Sequence, residues 1–167
     1  GLTRLVDRLT SALERLNRPW EVVFVDDGSS DATSSVLALV NAREPRCKAI
    51  VFSRNFGKEI AGAAGLRYAG GDCAVVMDGD LQHPPEAIAT FLRFWEQGYD
   101  VVYGQRSDRA TDSTMHRLSS RIFYWVFTWI SRTSLPRDAG DFRLIDRKVV
   151  NVLNRMDERS RFNKGLF

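Results

Sequence analysis

The feature that most constrains the fold is an alternation of short apolar strands with longer helical segments. Runs of four or five residues, rich in β-branched side chains, predict the strands, and apolar residues at helical spacing predict the segments between them. Parallel strands joined by helices bury both faces of their sheet. We therefore expect an α/β fold with a mostly parallel sheet and helices on both faces. The predicted strands are residues 21–25, 48–52, 74–77 and 100–103.

The helical segments carry recognisable start and stop signals. The first is predicted over residues 2–17 and ends before Pro19, and Ser30 or Asp31 can cap the second. A small-residue helix around residues 61–65 and a helix over residues 85–97 follow. With 167 residues and no linker or repeat, we expect one domain, residues 1–167.

Charge and composition argue against a nucleic-acid partner. The chain is 44% hydrophobic and 27% charged with a net charge of +3, which is typical of a soluble domain and too mild to indicate nucleic acid. Basic residues nevertheless recur from Arg106 to Arg161. They are either a solvated surface or, taken together, the binding surface for an anionic partner.

Cys47 and Cys73 lack metal-ligand spacing and do not suggest a disulfide, so a reducing compartment is expected. No signal peptide opens the sequence and no apolar run reaches the roughly 18 residues of a membrane span. The richest apolar run, residues 122–130, has two interpretations. It is a helix packed in the core, or an aromatic face at a membrane surface with neighbouring arginines at the headgroups.

Polar side chains follow each predicted strand directly. Asp27, Arg54, Asp78 with Asp80, and Arg106 come after the first, second, third and fourth strands. Ligands of open α/β sheets gather at the carboxyl ends of the strands. The sequence therefore predicts that these side chains share one edge of the sheet.

The acids after the third strand predict a divalent-metal site. Asp78 and Asp80 flank Gly79, and Gln82 adds an oxygen two residues on. Carboxylate and amide oxygens suit Mg²⁺ or Mn²⁺, which commonly bridges protein to substrate phosphates. The alternative is a loop whose acids only form a turn.

Asp26 and Asp27 leave a similar choice between a ribose or base contact and ordinary turn chemistry. The chain has neither the G-x-G-x-x-G nor the G-x-x-x-x-G-K-[ST] sequence. Phosphates would therefore be held by metal and arginine rather than by a glycine loop.

Several segments, in order, resemble family 2 glycosyltransferases of the GT-A fold, a Rossmann-like α/β architecture. Within them the chain is most similar to polyprenyl-phosphate glycosyltransferases, such as dolichyl-phosphate mannose synthases and bacterial undecaprenyl-phosphate glucosyltransferases. The matching segments are VDDGSSD at 25–31, SRNFGK at 53–58, MDGDLQHPP at 77–85, GQR at 104–106, DAGDFRL at 138–144 and RSRFNKG at 159–165.

The resemblance implies roles at the donor end of the site. Asp27 would contact the nucleoside, Asp78 and Gly79 would lie against the ribose and diphosphate, and Arg54 belongs to the same donor-binding set. Asp80 and Gln82 would ligate the metal, with Asp78 near it. Arg161 and Lys164 would approach the diphosphate.

The resemblance also implies an acceptor side. Arg106 and Arg121 would face a lipid phosphate, and Asp141 would lie close to the reacting sugar. Because a phosphate acceptor is already an anion, Asp141 can orient the sugar or stabilise developing positive charge rather than act as a base. The alternative is an acid paired with Arg137 or Arg143.

The implied reaction is inverting transfer of a sugar from a UDP- or GDP-linked donor to a polyprenyl phosphate at the cytoplasmic face of a membrane, as in cell-envelope glycan synthesis. Two alternatives remain: a family 2 enzyme with a soluble or glycan acceptor, and a non-catalytic nucleotide-binding domain. The family's first strand and its frequent closing membrane helices have no counterpart in the sequence. We therefore expect a domain truncated at the N-terminal strand and incomplete at both ends.

Overall fold

The alternation of strands and helices is present in the structure, a computed structural model that describes residues 1–80, 82–104 and 142–156. The four predicted strands form within one residue of their expected starts, and a 3₁₀ turn at Pro85–Ala87 leads into the fourth helix. In chain order the elements are α1 (Leu2–Glu14), β1 (Val22–Asp26), α2 (Thr33–Arg43), β2 (Cys47–Val51), α3 (Lys58–Tyr68), β3 (Cys73–Val76), α4 (Ile88–Glu96), β4 (Val101–Tyr103), β5 (Arg143–Asp146) and α5 (Arg147–Arg155).

The helix ends differ slightly from expectation. α1 ends at Glu14 rather than at residue 17, because Asn17 adopts a positive φ of 50° that a helix does not accommodate. Asp31 acts at the start of α2, where its Oδ1 accepts the Thr33 N–H at 2.9 Å.

The strands form two groups. β1 and β2 pair in parallel from Val22 with Cys47 to Asp26 with Val51. β5 lies between β3 and β4 and is antiparallel to both, so β3 and β4 run in the same direction. No local sequence pattern predicted β5, whose first and last residues are charged. The α/β prediction is confirmed, with one antiparallel strand added.

Helices cover both faces of the β3–β5–β4 group. The adjacent β5 residues Leu144 and Ile145 are both 0% exposed, and their side chains point to opposite faces. Leu144 belongs to a core cluster with residues of α1 and α4, whereas Ile145 packs with residues of α3 and α5. The predicted placement of helices on both faces is therefore confirmed.

One carboxylate fastens α5 to α4. Asp146 caps α5 by accepting the Lys148 N–H at 2.8 Å, and its other oxygen accepts the Trp95 indole N–H at 2.7 Å. These hydrogen bonds, the indole first, hold the pKa of the Asp146 carboxyl below its ordinary value of 3.8.

Replacing this carboxylate by an amide should cost stability in a pH-dependent way. Because the folded-state pKa is lowered, the carboxylate stabilises the fold above about pH 4, and the contribution is lost as the pH falls through the folded-state value. We expect Asp146→Asn to lower the free energy of unfolding by about 1 kcal/mol at pH 7. The difference from the parent protein should shrink at pH 3.

Urea unfolding at both pH values measures this effect. Asp100→Asn is the control, since the side chain of Asp100 forms an exposed ion pair with Lys148, which contributes little. If Asp146→Asn had the same free energy of unfolding as the parent protein at pH 7, the Asp146 carboxylate would not stabilise the fold as described.

Candidate functional site

The turn after β1 is fastened to the loop after β2 by the carboxylate of Asp27. Its Oδ1 accepts the Phe56 N–H at 2.7 Å, and its Oδ2 accepts the Gly57 N–H at 2.9 Å. Asp26, only 5% exposed, closes the turn itself by accepting the Ser29 N–H at 3.0 Å. Each of the two carboxylates therefore orders backbone, as the turn-forming interpretation of Asp26 and Asp27 requires. The ribose or base contact stays a prediction. Asp27 retains lone pairs that a ligand could use.

Gly28 brings two backbones into direct contact. Its φ is +75°, and a Cβ there would lie 2.3 Å from the Arg54 carbonyl carbon and 2.6 Å from the Asn55 nitrogen. Since real Cβ atoms do not approach backbone this closely, the position requires glycine. The Asp-Gly dipeptide indicated a turn, but the sequence did not indicate the second loop packed against it.

Arg54 lies at the same edge and remains exposed. Its Cζ lies 4.9 Å from the centroid of the Phe56 ring, which supports the guanidinium by a cation–π contact. The head group of Arg54 is thus held at the surface beside the loop that Asp27 fastens.

The acid after β3 is paired with the first residue of α3. Lys58 Nζ lies 2.7 Å from Asp78 Oδ2, with side-chain exposures of 55% for Lys58 and 34% for Asp78. Lys58 was part of a matching sequence segment but was not predicted as a site residue. A lysine at the start of a helix carries no signal for a contact with an acid 20 residues away.

The loop after Asp78 turns back on itself. Asp80 Oδ1 accepts the Gln82 N–H at 2.9 Å, and both residues are exposed. At its exit the His83 ring stacks on Phe142, with centroids 5.1 Å apart and planes at 24°. This stacking fastens the acid-bearing loop to the start of β5. Within the described residues, a Cβ on Gly79 would meet only Leu5, at an ordinary 3.7 Å, so the packing of these residues does not demand glycine there.

A cavity of about 690 Å³ brings several of these side chains together. Asp27 and Asp78 line it, as the carboxyl-edge rule predicts, and Gly79 and Lys58 line it beside them. Of the other residues that the rule placed at this edge and that the structure describes, Arg54 and Asp80 do not line the cavity. Arg143, 5% exposed, also lines it and was not predicted as a site residue, because a charged residue opening a four-residue strand gives no sign of burial. The volume is in the range of small-molecule sites.

Five further predicted site residues fall in the parts of the chain that the structure does not describe. Arg106, Arg121, Asp141, Arg161 and Lys164 lie outside the described residues, as does the apolar run at residues 122–130. In the ranges that the structure describes, no group of three or more His, Cys, Asp or Glu is placed to hold a metal ion.

Burial raises the pKa of both cysteine thiols. Cys47 and Cys73 are both free. Burial, first, and the neighbouring acid Asp146 raise the pKa of the Cys73 thiol to about 11. Cys73 is therefore protonated at neutral pH and acts as a small apolar side chain, as the sequence indicated.

Comparisons with known proteins identify the family to which the chain belongs. Residues 2–153 match the family described as Glycosyl transferase family 2, and the chain belongs to that family. An uncharacterized glycosyltransferase of Synechocystis is 41% identical over the whole chain, which spans 52% of that relative. The bactoprenol glucosyl transferase of Shigella phage SfV is 41% identical over 87% of the chain and 48% of its own length. The chain thus spans about half the length of the curated relatives it matches.

A solved structure supports the fold. The mannosyltransferase PcManGT from Pyrobaculum calidifontis, in complex with GDP-Man and Mn²⁺, is similar with a TM-score of 0.58. The identity is 21%, and the match covers 90% of this chain and 43% of that one. The predicted GT-A fold is therefore confirmed. None of the helices in the described part of the chain has both the length and the apolar character that a membrane crossing requires.

The contact between Gly28 and the second loop predicts an asymmetry between two glycines. Gly28 and Gly98 both have positive φ, but a Cβ on Gly98 would meet nothing within 4 Å among the residues that the structure describes. Gly98→Ala should therefore cost only the conformational strain, about 1 kcal/mol. Gly28→Ala adds a backbone clash and should cost at least about 2 kcal/mol more.

Urea unfolding of the two variants measures this difference. Equal destabilisation would mean that the loops after β1 and β2 do not pack as described.

Proposed function

We propose that this chain is the catalytic domain of a divalent-metal-dependent, inverting glycosyltransferase that transfers a sugar from a nucleotide-sugar to a polyprenyl phosphate. One observation carries the proposal: the Asp78–Gly79 segment shares a cavity with Asp27 and two cationic side chains at the carboxyl edge of the sheet. Membership of the glycosyl transferase family supplies the reaction class.

The donor fits the chemistry of the cavity's charged end. A nucleotide-sugar carries a base and ribose, which accept and donate hydrogen bonds, and a diphosphate, which needs cations. Asp27 supplies acceptor oxygens, while Lys58 and Arg143 supply positive charge from opposite elements, α3 and β5. Arg54, Arg161 and Lys164 are proposed to add charge toward the diphosphate. The solved neighbour is in complex with GDP-Man, which supports a nucleotide-linked donor.

The residues present fit a hard divalent ion, and they fit it better at Asp80 than at Asp78. Asp80 is exposed and uses one carboxylate oxygen in its own turn. Among the residues that the structure describes, no hydrogen bond engages its second oxygen, which suits Mg²⁺ or Mn²⁺. The Oδ2 of Asp78 already contacts the Lys58 ammonium. We therefore propose Asp80 as the principal ligand, with Gln82 as a second oxygen and Asp78 beside them. When bound, the ion would neutralise charge on the leaving diphosphate.

The acceptor is proposed from the second half of the chain and from a relative. The Shigella phage SfV relative is named a bactoprenol glucosyl transferase, and bactoprenol is a polyprenol. Arg106 and Arg121 are the proposed contacts of the lipid phosphate, because a guanidinium matches two phosphate oxygens. Such an acceptor would bring the domain to the cytoplasmic face of a membrane.

The nucleophile needs little activation. A phosphate monoester is an anion at neutral pH, so it can attack the anomeric carbon from the face opposite the leaving diphosphate, which inverts the configuration. Asp141 is proposed to orient the sugar and to stabilise positive charge that develops on it. Each chain residue thus binds, orients or supplies charge, and none has to remove a proton from a weak acid.

Asp80 provides the test of this proposal. The natural polypeptide should transfer sugar from UDP-glucose or GDP-mannose to undecaprenyl phosphate when Mn²⁺ or Mg²⁺ is present, and EDTA should abolish the transfer. Asp80→Asn should lower kcat/KM by about 100-fold or more, because an amide binds a divalent ion more weakly than a carboxylate.

Asp7→Asn is the matched control, since Asp7 is an exposed acid on α1, and it should leave the rate unchanged. Transfer that persists in EDTA would remove the metal from the proposal. Transfer to a soluble saccharide but to no polyprenyl phosphate would overturn the acceptor assignment.

A further inference from the structure

One ion pair crosses the charged end of the 690 Å³ cavity. Lys58 is the first residue of α3, Asp78 follows β3, and both residues line the cavity. The Lys58 ammonium donates to Asp78 Oδ2 at 2.7 Å. In the proposed function these two groups have different partners: the lysine serves the donor's diphosphate, and the acid lies beside the divalent ion. In the structure each group instead neutralises the other.

This pair contributes little to the stability of the fold. Its side chains are 55% and 34% exposed, and exposed ion pairs stabilise a protein only slightly. The Lys48–Glu21 pair has the same 2.7 Å separation and a similar lysine exposure of 56%, but Glu21 also accepts the Gly70 N–H and so orders backbone. Separating Lys58 from Asp78 therefore costs little, and a bound ligand can replace either partner.

The backbone at Lys58 is held in place, while its side chain has a long reach. Asp27 accepts the N–H groups of Phe56 and Gly57, directly before the lysine, and α3 begins at Lys58 itself. A lysine ammonium is a compact charge on a flexible four-carbon stem. It can move from Asp78 to a diphosphate in the same cavity without any change in the backbone.

An ammonium and a divalent ion compete for the same carboxylate. Mg²⁺ and Mn²⁺ bind through oxygen atoms, and two cations on one oxygen repel each other. While Lys58 contacts Oδ2, Asp78 is therefore a poor partner for an ion at the neighbouring Asp80. A nucleotide diphosphate carries several negative charges and offers the ammonium strong, charge-assisted hydrogen bonds. Binding of the diphosphate thus releases the Asp78 carboxylate.

We propose that Lys58 is an exchangeable counterion. Its ammonium neutralises Asp78 until a nucleotide diphosphate binds, and it then transfers to the phosphate oxygens and leaves the Asp78 carboxylate to the divalent ion. The inference rests on the proposed function and adds its order of assembly: the ion alone binds weakly, and the ion and the diphosphate bind cooperatively. Because such coupling is reciprocal, each ligand tightens the binding of the other by the same factor.

Mn²⁺ titrations followed by electron paramagnetic resonance, in the natural polypeptide with and without GDP or UDP, measure this exchange. In the parent protein we expect the nucleotide to tighten Mn²⁺ binding by about tenfold or more, after correction for the metal–nucleotide complex in solution. Lys58→Met keeps the apolar stem and removes the charge. Without nucleotide it should tighten Mn²⁺ binding by about three- to fivefold, since the competitor for Asp78 is gone. With nucleotide it should change the Kd for Mn²⁺ little, so the coupling factor falls.

Two further variants control for general electrostatic effects. Lys48→Met removes a lysine of nearly equal exposure and equal ion-pair distance that does not line the cavity, and it should leave Mn²⁺ binding unchanged. Asp78→Asn removes the carboxylate for which the two cations compete. In that background Lys58→Met should no longer tighten Mn²⁺ binding, and the double-mutant cycle isolates the pairwise effect.

Two results would overturn the inference. Unchanged or weaker Mn²⁺ binding by nucleotide-free Lys58→Met would mean that the lysine does not compete for Asp78. Equal tightening with and without the Asp78→Asn change would mean that the lysine acts only through its long-range charge. Both results are compatible with metal-dependent sugar transfer and leave the proposed function standing, whereas transfer that persists in EDTA counts against the proposed function itself.

Discussion

The two hydrogen bonds from the Phe56 and Gly57 N–H groups to Asp27 are the interaction on which the site depends. They hold the loop after β2 against the turn after β1, at a separation that only glycine at position 28 permits. α3 begins with Lys58, directly after this loop, and the start of α3 is therefore fixed. Lys58 can then reach Asp78 at the end of the third strand. One carboxylate thus sets the relative positions of three strand ends.

The charged side chains that gather at this edge add little to the stability of the fold. The Lys58–Asp78 pair is partly exposed, and exposed ion pairs contribute little to the free energy of folding. Arg143 is different, because a buried guanidinium is costly to desolvate and is kept only where its charge is used or satisfied. This edge gathers cations around acids although these charges stabilise the fold little or even destabilise it. Such an arrangement is suited to a ligand that carries both metal and phosphate.

The sequence predicted the architecture well where local signals were strong. The β-branched runs located β1 to β4, and two of the residues that the carboxyl-edge rule placed together, Asp27 and Asp78, line one cavity. β5 was missed because it is buried by pairing with β3 on one side and β4 on the other, and by a core cluster on each face. The sequence of a four-residue segment does not show such partners. Lys58 and Arg143 were missed for a related reason: their positions depend on which elements pack together. The roles of Asp141, Arg106 and the other residues outside the described ranges stay predictions.

The central claim is that a divalent ion at the 78–82 loop joins the protein to the donor's diphosphate. Crystals grown with Mn²⁺ and either GDP or UDP, measured at the manganese absorption edge, test it directly. The account predicts an anomalous peak within coordination distance of the Asp80 carboxylate and of the nucleotide's phosphate oxygens. Nucleotide bound in the cavity with no manganese at Asp80, or manganese bound elsewhere, would contradict it.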